Sequence, residues 1–210
     1  MSQDSRRSPS PELELRARIA EDSARPQSIA AFLDGLSHED RVTAIRGLRR
    51  RDQSKLYDAV DGFSAVTLSD IVPPDCRDDE PVRHFGKNTL PAFTHFEKRF
   101  VRPAGSDADK PVELHGFNFQ SMAPVTGPGY FVAVANPERA DREVWVDYRR
   151  VPESHPAGWP EIRVNDRGLA QLFFGHMVDN LRRVSEHVTI GSAARKGKDL
   201  GSWFALTREA

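Results

Sequence analysis

The sequence predicts an α+β fold, in which an antiparallel sheet packs against one long helix and a small helical subdomain precedes them. Three β-like runs between residues 112 and 149, divided by glycine-rich and polar turns, are typical of a meander. Residues 202–208 add a C-terminal strand to this sheet. Residues 168–188 repeat apolar side chains at helical spacing, which indicates a long helix that covers one face of the sheet.

The first run of the meander changes phase part-way along. Val112 and Leu114 have one parity, whereas Phe117 and Phe119 have the other. Because side chains alternate along a strand, an unbroken strand would divide these apolar residues between its two faces. We therefore expect a β-bulge at Gly116, since the extra residue of a bulge resets the alternation.

Helical spacing of apolar residues occurs in two places in the second half of the chain. In the predicted long helix, one side of a helical wheel holds Leu169, Phe173, Met177, Leu181, Val184 and Val188. A shorter helix is predicted at residues 90–101, where Phe93, Phe96 and Phe100 recur at intervals of three and four.

The chain is expected to divide into three parts. Residues 1–27 are rich in serine, proline and charge, and few large apolar groups offset the entropy of ordering them, so this part is predicted to be a disordered tail. Residues 28–62 form the helical subdomain, in which Ser37 and Asp40 resemble a capping box. Residues 63–210 form the α+β domain.

Composition limits the classes of function. Hydrophobic residues make up 38% of the 210 residues, which suits a domain with its own core, and the longest apolar run is far shorter than the roughly 20 residues of a membrane helix. No membrane association is therefore expected. The net charge of −1 disfavours nucleic acid as a partner. The first residues lack the apolar stretch of a secretory signal, which favours the cytoplasm.

Metal and cofactor motifs are not apparent in the sequence. Cys76 is the only cysteine, and the seven histidines do not occur at the spacing of known metal-binding motifs. No metal site is therefore predicted. The cofactor and the oligomeric state are left open.

The predicted long helix carries the candidate catalytic residues on a polar stripe. This stripe consists of His176, Asp179, Arg183 and His187. His176 and Asp179 are three residues apart, close enough on a helix to form a hydrogen bond, and an oriented histidine suits general acid–base chemistry. The same four residues also suit the solvated border of an amphipathic helix.

The candidate ligand site lies in a segment that is rich in aromatic residues. Eight aromatic side chains occur between residues 85 and 131, and such side chains fill cores or form the walls of small-molecule cavities. The ligand contacts predicted in this segment are His115, Phe117, Asn118, Phe119 and Tyr130. Four further predicted contacts lie outside it, and their charges extend the prediction to an anionic ligand; they are Asp147, Arg149, Arg183 and His187.

Together these features favour a domain that binds a small apolar or aromatic molecule. One alternative is an enzyme that uses a His/Asp/Arg cleft on the long helix. Another is a protein-interaction module that docks through its N-terminal helices. A closed cavity would support the first function, convergent polar groups the second, and an exposed apolar patch on the helices the third.

Overall fold

The protein is a closed antiparallel β-barrel with helices on its outer surface. The computed structural model describes residues 10–21, 25–91, 94–119 and 127–209. Each strand pairs with the next along the chain, and the last strand pairs with the first. The strands are β1 (Val82–Asn88), β2 (His95–Val101), β3 (Leu114–Phe119), β4 (Tyr130–Ala135), β5 (Val144–Asp147), β6 (Met177–Arg183), β7 (Val188–Arg195) and β8 (Lys198–Arg208).

Along each strand, successive side chains point alternately into the barrel interior and toward its outer face. In β2, Phe96, Lys98 and Phe100 point inward, and they pair with inward residues of the neighbouring strands. Aromatic rings fill much of the interior, and glycines on adjacent strands make room for them. A Cβ at Gly191, for example, would overlap the ring of Phe204.

Four helices cover the outer face of β7 and β8. They are α1 (Pro11–Ala20), α2 (Pro26–Asp34), α3 (His38–Arg46) and α4 (Arg50–Ala59). Their apolar side chains form one buried cluster with Val188, Ile190 and Ala205 on the outside of the barrel. Ser37 caps α3 by accepting a hydrogen bond from the backbone N–H of Asp40 at 3.1 Å.

Two further short helices lie at opposite ends of the barrel. Helix α5 (Leu68–Ile71) closes one end, because Leu68 and Ile71 belong to the interior apolar cluster. Helix α6 (Gly168–Phe174) lies at the other end, where Phe174 joins the same cluster. No helix in the described ranges is both long enough and apolar enough to cross a bilayer.

The predicted sheet packed against a long helix is wrong. Residues 168–188 contain only the short α6, followed by a turn and then β6, and residue 188 begins β7. The apolar spacing that indicated a helix arises because Asp179 takes an inward position of β6 between Met177 and Leu181. A polar residue in the barrel interior breaks the apolar alternation on which strand recognition depends.

Two other local predictions differ from the structure. The helix predicted at residues 90–101 is replaced by β2, where Lys98 again interrupts an inward series of aromatic residues. Gly116 is not in a bulge, since it pairs with Phe100 and with Phe131 in an unbroken ladder. Its lack of a side chain instead accommodates the ring of Phe131.

Part of the predicted disordered tail is helical. Helix α1 covers residues 11–20, and its Leu15 and Ile19 are fully buried against the other helices. Residues 1–9 and 22–24 lie outside the described residues.

Candidate functional site

A cluster of four polar side chains lies inside the barrel, and each comes from a different strand or strand end. Lys98 belongs to β2, Asn118 to β3 and Asp179 to β6, and Tyr148 directly follows β5. All four are at least 95% buried. Their inward positions follow from strand alternation: Lys98, Tyr148 and Asp179 have apolar interior neighbours two residues away, and Asn118 lies directly across the ladder from Lys98.

The lysine ammonium is the centre of this polar cluster. Lys98 Nζ donates to Asp179 Oδ2 at 3.1 Å and to Asn118 Oδ1 at 3.1 Å, and it also contacts the Tyr148 hydroxyl. The amide of Asn118 donates to the Tyr148 hydroxyl at 3.0 Å and to the backbone oxygen of Gly129 at 3.2 Å. The three donors of an ammonium thus find three acceptors inside the barrel.

Aromatic rings surround the same nitrogen. The Lys98 Nζ atom lies 4.9 Å from the ring centres of Tyr148 and Phe204, and 5.0 Å from that of Phe131. Rings at this distance attract a cation through their quadrupole. The rings and the carboxylate together therefore stabilise the charged form of Lys98.

Burial shifts the pKa values of the charged pair toward neutrality. It lowers the pKa of Lys98 and raises the pKa of Asp179, because each charged form loses its hydration, while the opposite charge of the partner limits both shifts. Burial also raises the pKa of Tyr148 well above its ordinary value, and the nearby Asp179 carboxylate adds to this effect. The tyrosine therefore remains a neutral phenol at physiological pH.

One oxygen of the buried carboxylate has no partner. Asp179 Oδ2 accepts from Lys98, but Oδ1 has no hydrogen-bond partner among the described residues and is shielded from solvent. A buried carboxylate oxygen normally accepts at least one hydrogen bond, and leaving it unpaired costs about 1–3 kcal/mol or more. The atom is thus an unsatisfied acceptor inside the barrel.

A cavity of about 220 Å³ lies directly above the polar cluster. Lys98, Asn118, Tyr148 and Asp179 all line it. Its walls are otherwise largely apolar and include the aromatic side chains of Phe96, Tyr148, Phe174 and Phe204. The outermost lining residues include three exposed leucines, Leu90, Leu172 and Leu200. The cavity therefore combines an apolar entrance, aromatic walls and a charged floor.

The structure brings two of the predicted site residues together and separates the rest. Asp179 and Asn118 both face the cavity and both contact Lys98. His176, the predicted partner of Asp179, is exposed in the turn before β6 and has a positive φ of 58°. The helical stripe that linked His176 to Asp179 does not exist, because Asp179 lies on a strand.

Four of the predicted aromatic and histidine contacts lie on the outer face of the barrel. Phe117 and Tyr130 are buried there against Trp159, with ring centres 4.6 and 6.3 Å from the indole. Phe119 is about half exposed. His115 Nε2 lies 3.0 Å from a carboxylate oxygen of Glu113 on the same outer side.

The predicted charged contacts form separate ion pairs. Asp147 and Arg149 pair with each other on the outer face at 2.8 Å. Arg183 pairs with Asp70 of α5 at 2.9 Å, near the closed end of the barrel. His187 Nδ1 lies 3.3 Å from the Arg208 guanidinium in the turn before β7. These groups do not line the cavity above Lys98.

Sequence reasoning named neither Lys98 nor Tyr148 as a site residue. A signal for Lys98 is present in the sequence, since Phe96, Lys98 and Phe100 alternate with Glu97 and Arg99. A lysine at the apolar parity of a strand indicates an inward cation. Helical spacing of Phe93, Phe96 and Phe100 concealed this pattern.

Comparison of the chain with protein-family models, with curated proteins and with solved structures found no match. Among the described residues, no three His, Cys, Asp or Glu side chains are grouped closely enough to hold a metal ion.

Proposed function

We propose that this protein is a binding domain for a small aromatic or otherwise apolar molecule that carries one hydrogen-bond donor. The observation that carries the proposal is the aromatic cavity above a buried carboxylate oxygen with no partner. Sites for small molecules are typically concave, mostly apolar and equipped with few polar groups that fix orientation.

The cavity volume limits the size of the ligand. An apolar cavity of about 150 Å³ is enough to hold a benzene molecule. The 220 Å³ available here suits a molecule with a single ring and a short substituent. The ring would contact the aromatic walls, and the substituent would reach the floor.

The floor of the cavity determines which substituent is favoured. A hydroxyl or N–H group that points at Asp179 Oδ1 would satisfy the unpaired acceptor. A hydrogen bond to a charged group contributes about 1.5–3 kcal/mol. Because Oδ2 already accepts from Lys98, the donor of the ligand does not have to displace the internal ion pair.

A purely structural role explains the polar cluster less well. Replacing a buried ion pair by apolar side chains is often neutral or stabilising, so such a pair is weak evidence of a stabilising role. Apart from this cluster and His84, the barrel interior is filled with apolar and aromatic groups, which pack well without any charge. Retention of a charged pair beside a cavity is consistent with recognition of a ligand.

The N-terminal helices offer less support for a docking function. Their large apolar side chains, such as Ile29, Leu33 and Ile45, are buried on the barrel. Leu13 is exposed on α1, but single exposed leucines are ordinary features of protein surfaces.

Thermal unfolding with benzyl alcohol tests the proposal, since this probe joins one ring to one hydroxyl donor. We expect the unfolding temperature to rise with probe concentration, because a ligand that binds the folded state stabilises it. Ala193 lines the cavity, so Ala193→Leu should abolish the rise by filling the space.

The neighbouring position supplies the matched control. Ala194 pairs with Val178 and Asp199 and faces outward, so Ala194→Leu should keep the response to benzyl alcohol. Binding in the barrel interior would be contradicted if benzyl alcohol raised the unfolding temperature of Ala193→Leu and Ala194→Leu equally, or if it did not raise that of the wild-type protein.

A further inference from the structure

We infer that Lys98 is a nucleophile that binds small aromatic aldehydes covalently, as an imine on its side-chain nitrogen. This inference rests on the proposed function, because the aldehyde must occupy the same cavity. It goes further by naming a second, reactive ligand class, whose carbonyl oxygen is a hydrogen-bond acceptor and not a donor, and the atom to which that ligand attaches.

The position of the amine makes it reachable from the cavity. Lys98 is 2% exposed to bulk solvent, yet it lines the cavity floor beside the aromatic walls. A single-ring aldehyde with its ring between those walls would direct its carbonyl carbon toward the floor. The nitrogen is thus placed for attack on a bound carbonyl group, while bulk water is largely excluded.

The adjacent carboxylate can take the proton that blocks the lysine lone pair. An ammonium has no free electron pair, so imine formation requires the neutral amine. Asp179 Oδ2 lies 3.1 Å from Nζ, within direct proton-transfer distance. Burial favours the transfer, since it lowers the pKa of Lys98 and raises the pKa of Asp179.

The reaction then proceeds with no other reactant. The amine lone pair of Lys98 attacks the carbonyl carbon, and the C=O π electrons move to oxygen. That oxygen gains the proton that the nitrogen loses, which gives a carbinolamine. Its hydroxyl next takes the proton held by Asp179 and leaves as water, while the nitrogen lone pair forms the C=N bond.

The product restores the charge arrangement of the free protein. The protonated imine is a cation at the position of the former ammonium, and Asp179 is again a carboxylate beside it. The rings of Phe131, Tyr148 and Phe204 surround both species at about 5 Å from the nitrogen. The barrel therefore requires no new charge compensation when the imine forms.

Reductive trapping with benzaldehyde tests the inference on the full-length chain. Sodium cyanoborohydride converts an imine into a stable secondary amine, so each reacted lysine gains one benzyl group in place of a hydrogen. We expect peptide mapping to find the label mainly on Lys98. The other lysines serve as internal standards; they are Lys55, Lys87, Lys110, Lys196 and Lys198.

Competition and substitution distinguish a cavity reaction from general lysine chemistry. Excess benzyl alcohol should reduce labelling of Lys98 to the level of exposed lysines such as Lys110. Labelling of these exposed lysines should not change. Lys98→Arg keeps a cation beside Asp179 but forms no imine, so it should lose the selective label. Because labelling is mapped on the wild-type protein, the test does not depend on the folding of this variant.

Each outcome bears on one of the two proposals. Stabilisation by benzyl alcohol without selective labelling of Lys98 would overturn the covalent inference and leave the proposed binding function standing. Labelling spread over the exposed lysines would overturn it as well. Absence of both stabilisation and labelling would contradict the binding function itself.

Discussion

At the scale of single residues, the cost of burying Lys98 and Asp179 is the central feature of the site. Each charge loses hydration, and each is compensated by the other at 3.1 Å. Removing one partner should therefore be far more harmful than removing both. Asn118 and Tyr148 would still satisfy each other through their own hydrogen bond at 3.0 Å.

This asymmetry gives the first prediction. Lys98→Met should lower the free energy of unfolding by about 3–5 kcal/mol, because it leaves a buried carboxylate without its cation. Adding Asp179→Leu should recover most of that loss while abolishing the response to benzyl alcohol. Urea unfolding of the wild-type protein, Lys98→Met and the double variant, with and without benzyl alcohol, measures both the stability and the response to the probe. A double variant as unstable as Lys98→Met alone would show that the pair stabilises the barrel in its own right.

His84 is a further buried titratable residue in the interior, and it pairs with Lys98 across the β1–β2 ladder. Burial lowers the pKa of His84 to about 3, and the nearby charges of Arg208 and Lys98 add to the shift. In its neutral form the ring can donate from Nε2 to the backbone oxygen of Ile71, 3.0 Å away, at the closed end of the barrel.

The depressed pKa of His84 predicts a dependence of stability on pH. Below about pH 6.5 the histidine binds a proton in the unfolded chain but stays neutral in the folded barrel. The free energy of unfolding therefore falls as the pH decreases toward 3. Between about pH 7 and about pH 5, His84 alone should lower the free energy of unfolding by about 2 kcal/mol. His84→Gln keeps a donor for Ile71 but does not titrate. Urea unfolding at about pH 7 and about pH 5 should therefore show a smaller loss of stability in this variant than in the wild-type protein. An equal loss in both proteins would assign the pH dependence to other groups.

At the scale of secondary-structure elements, two of the site residues explain why the sequence predicted helices in place of β2 and β6. The meander at residues 112–149 was recognisable because β4 and β5 carry mainly apolar and aromatic residues. In β2 and β6, Lys98 and Asp179 take inward positions, and the remaining apolar residues then fall at helical spacing. Local patterns thus failed where the fold places charge in its interior, as expected at functional positions.

Barrel closure was also beyond the sequence prediction. The strands follow one another in chain order, but the pairing of β8 with β1 joins residues more than a hundred positions apart. Strand patterns indicate which side faces a core, and they do not determine whether a sheet closes on itself.

Helix α1 supplies a prediction at the same scale. Leu15 is fully buried beneath the other helices, whereas Leu13 of the same helix is about half exposed. Leu15→Ala should destabilise the protein by about 2–5 kcal/mol, since it leaves a cavity in the cluster. Leu13→Ala is the control and should change stability by about 0.5 kcal/mol or less. Equal unfolding free energies for the two variants would show that α1 does not pack on the domain in solution.

At the scale of the whole molecule, the helices and the proposed binding site lie on different parts of the barrel. Helices α1–α4 bury their apolar sides on the outer face of β7 and β8, and α5 closes one end of the interior. The cavity lies toward the opposite end, above the polar cluster. Antiparallel closure leaves no edge strand among the eight, so neighbouring strands pair all round the barrel, which favours a rigid and preformed site.

The central claim is that a small aromatic ligand binds inside the barrel, and nuclear Overhauser contacts between benzyl alcohol and protein methyl groups test it most directly. The account predicts contacts from the ring protons of benzyl alcohol to the methyl groups of Met177 and Ala193, which line the cavity. Contacts found instead with Ala44 or Val188, which lie between the helices and the barrel, would place the ligand elsewhere and contradict the claim.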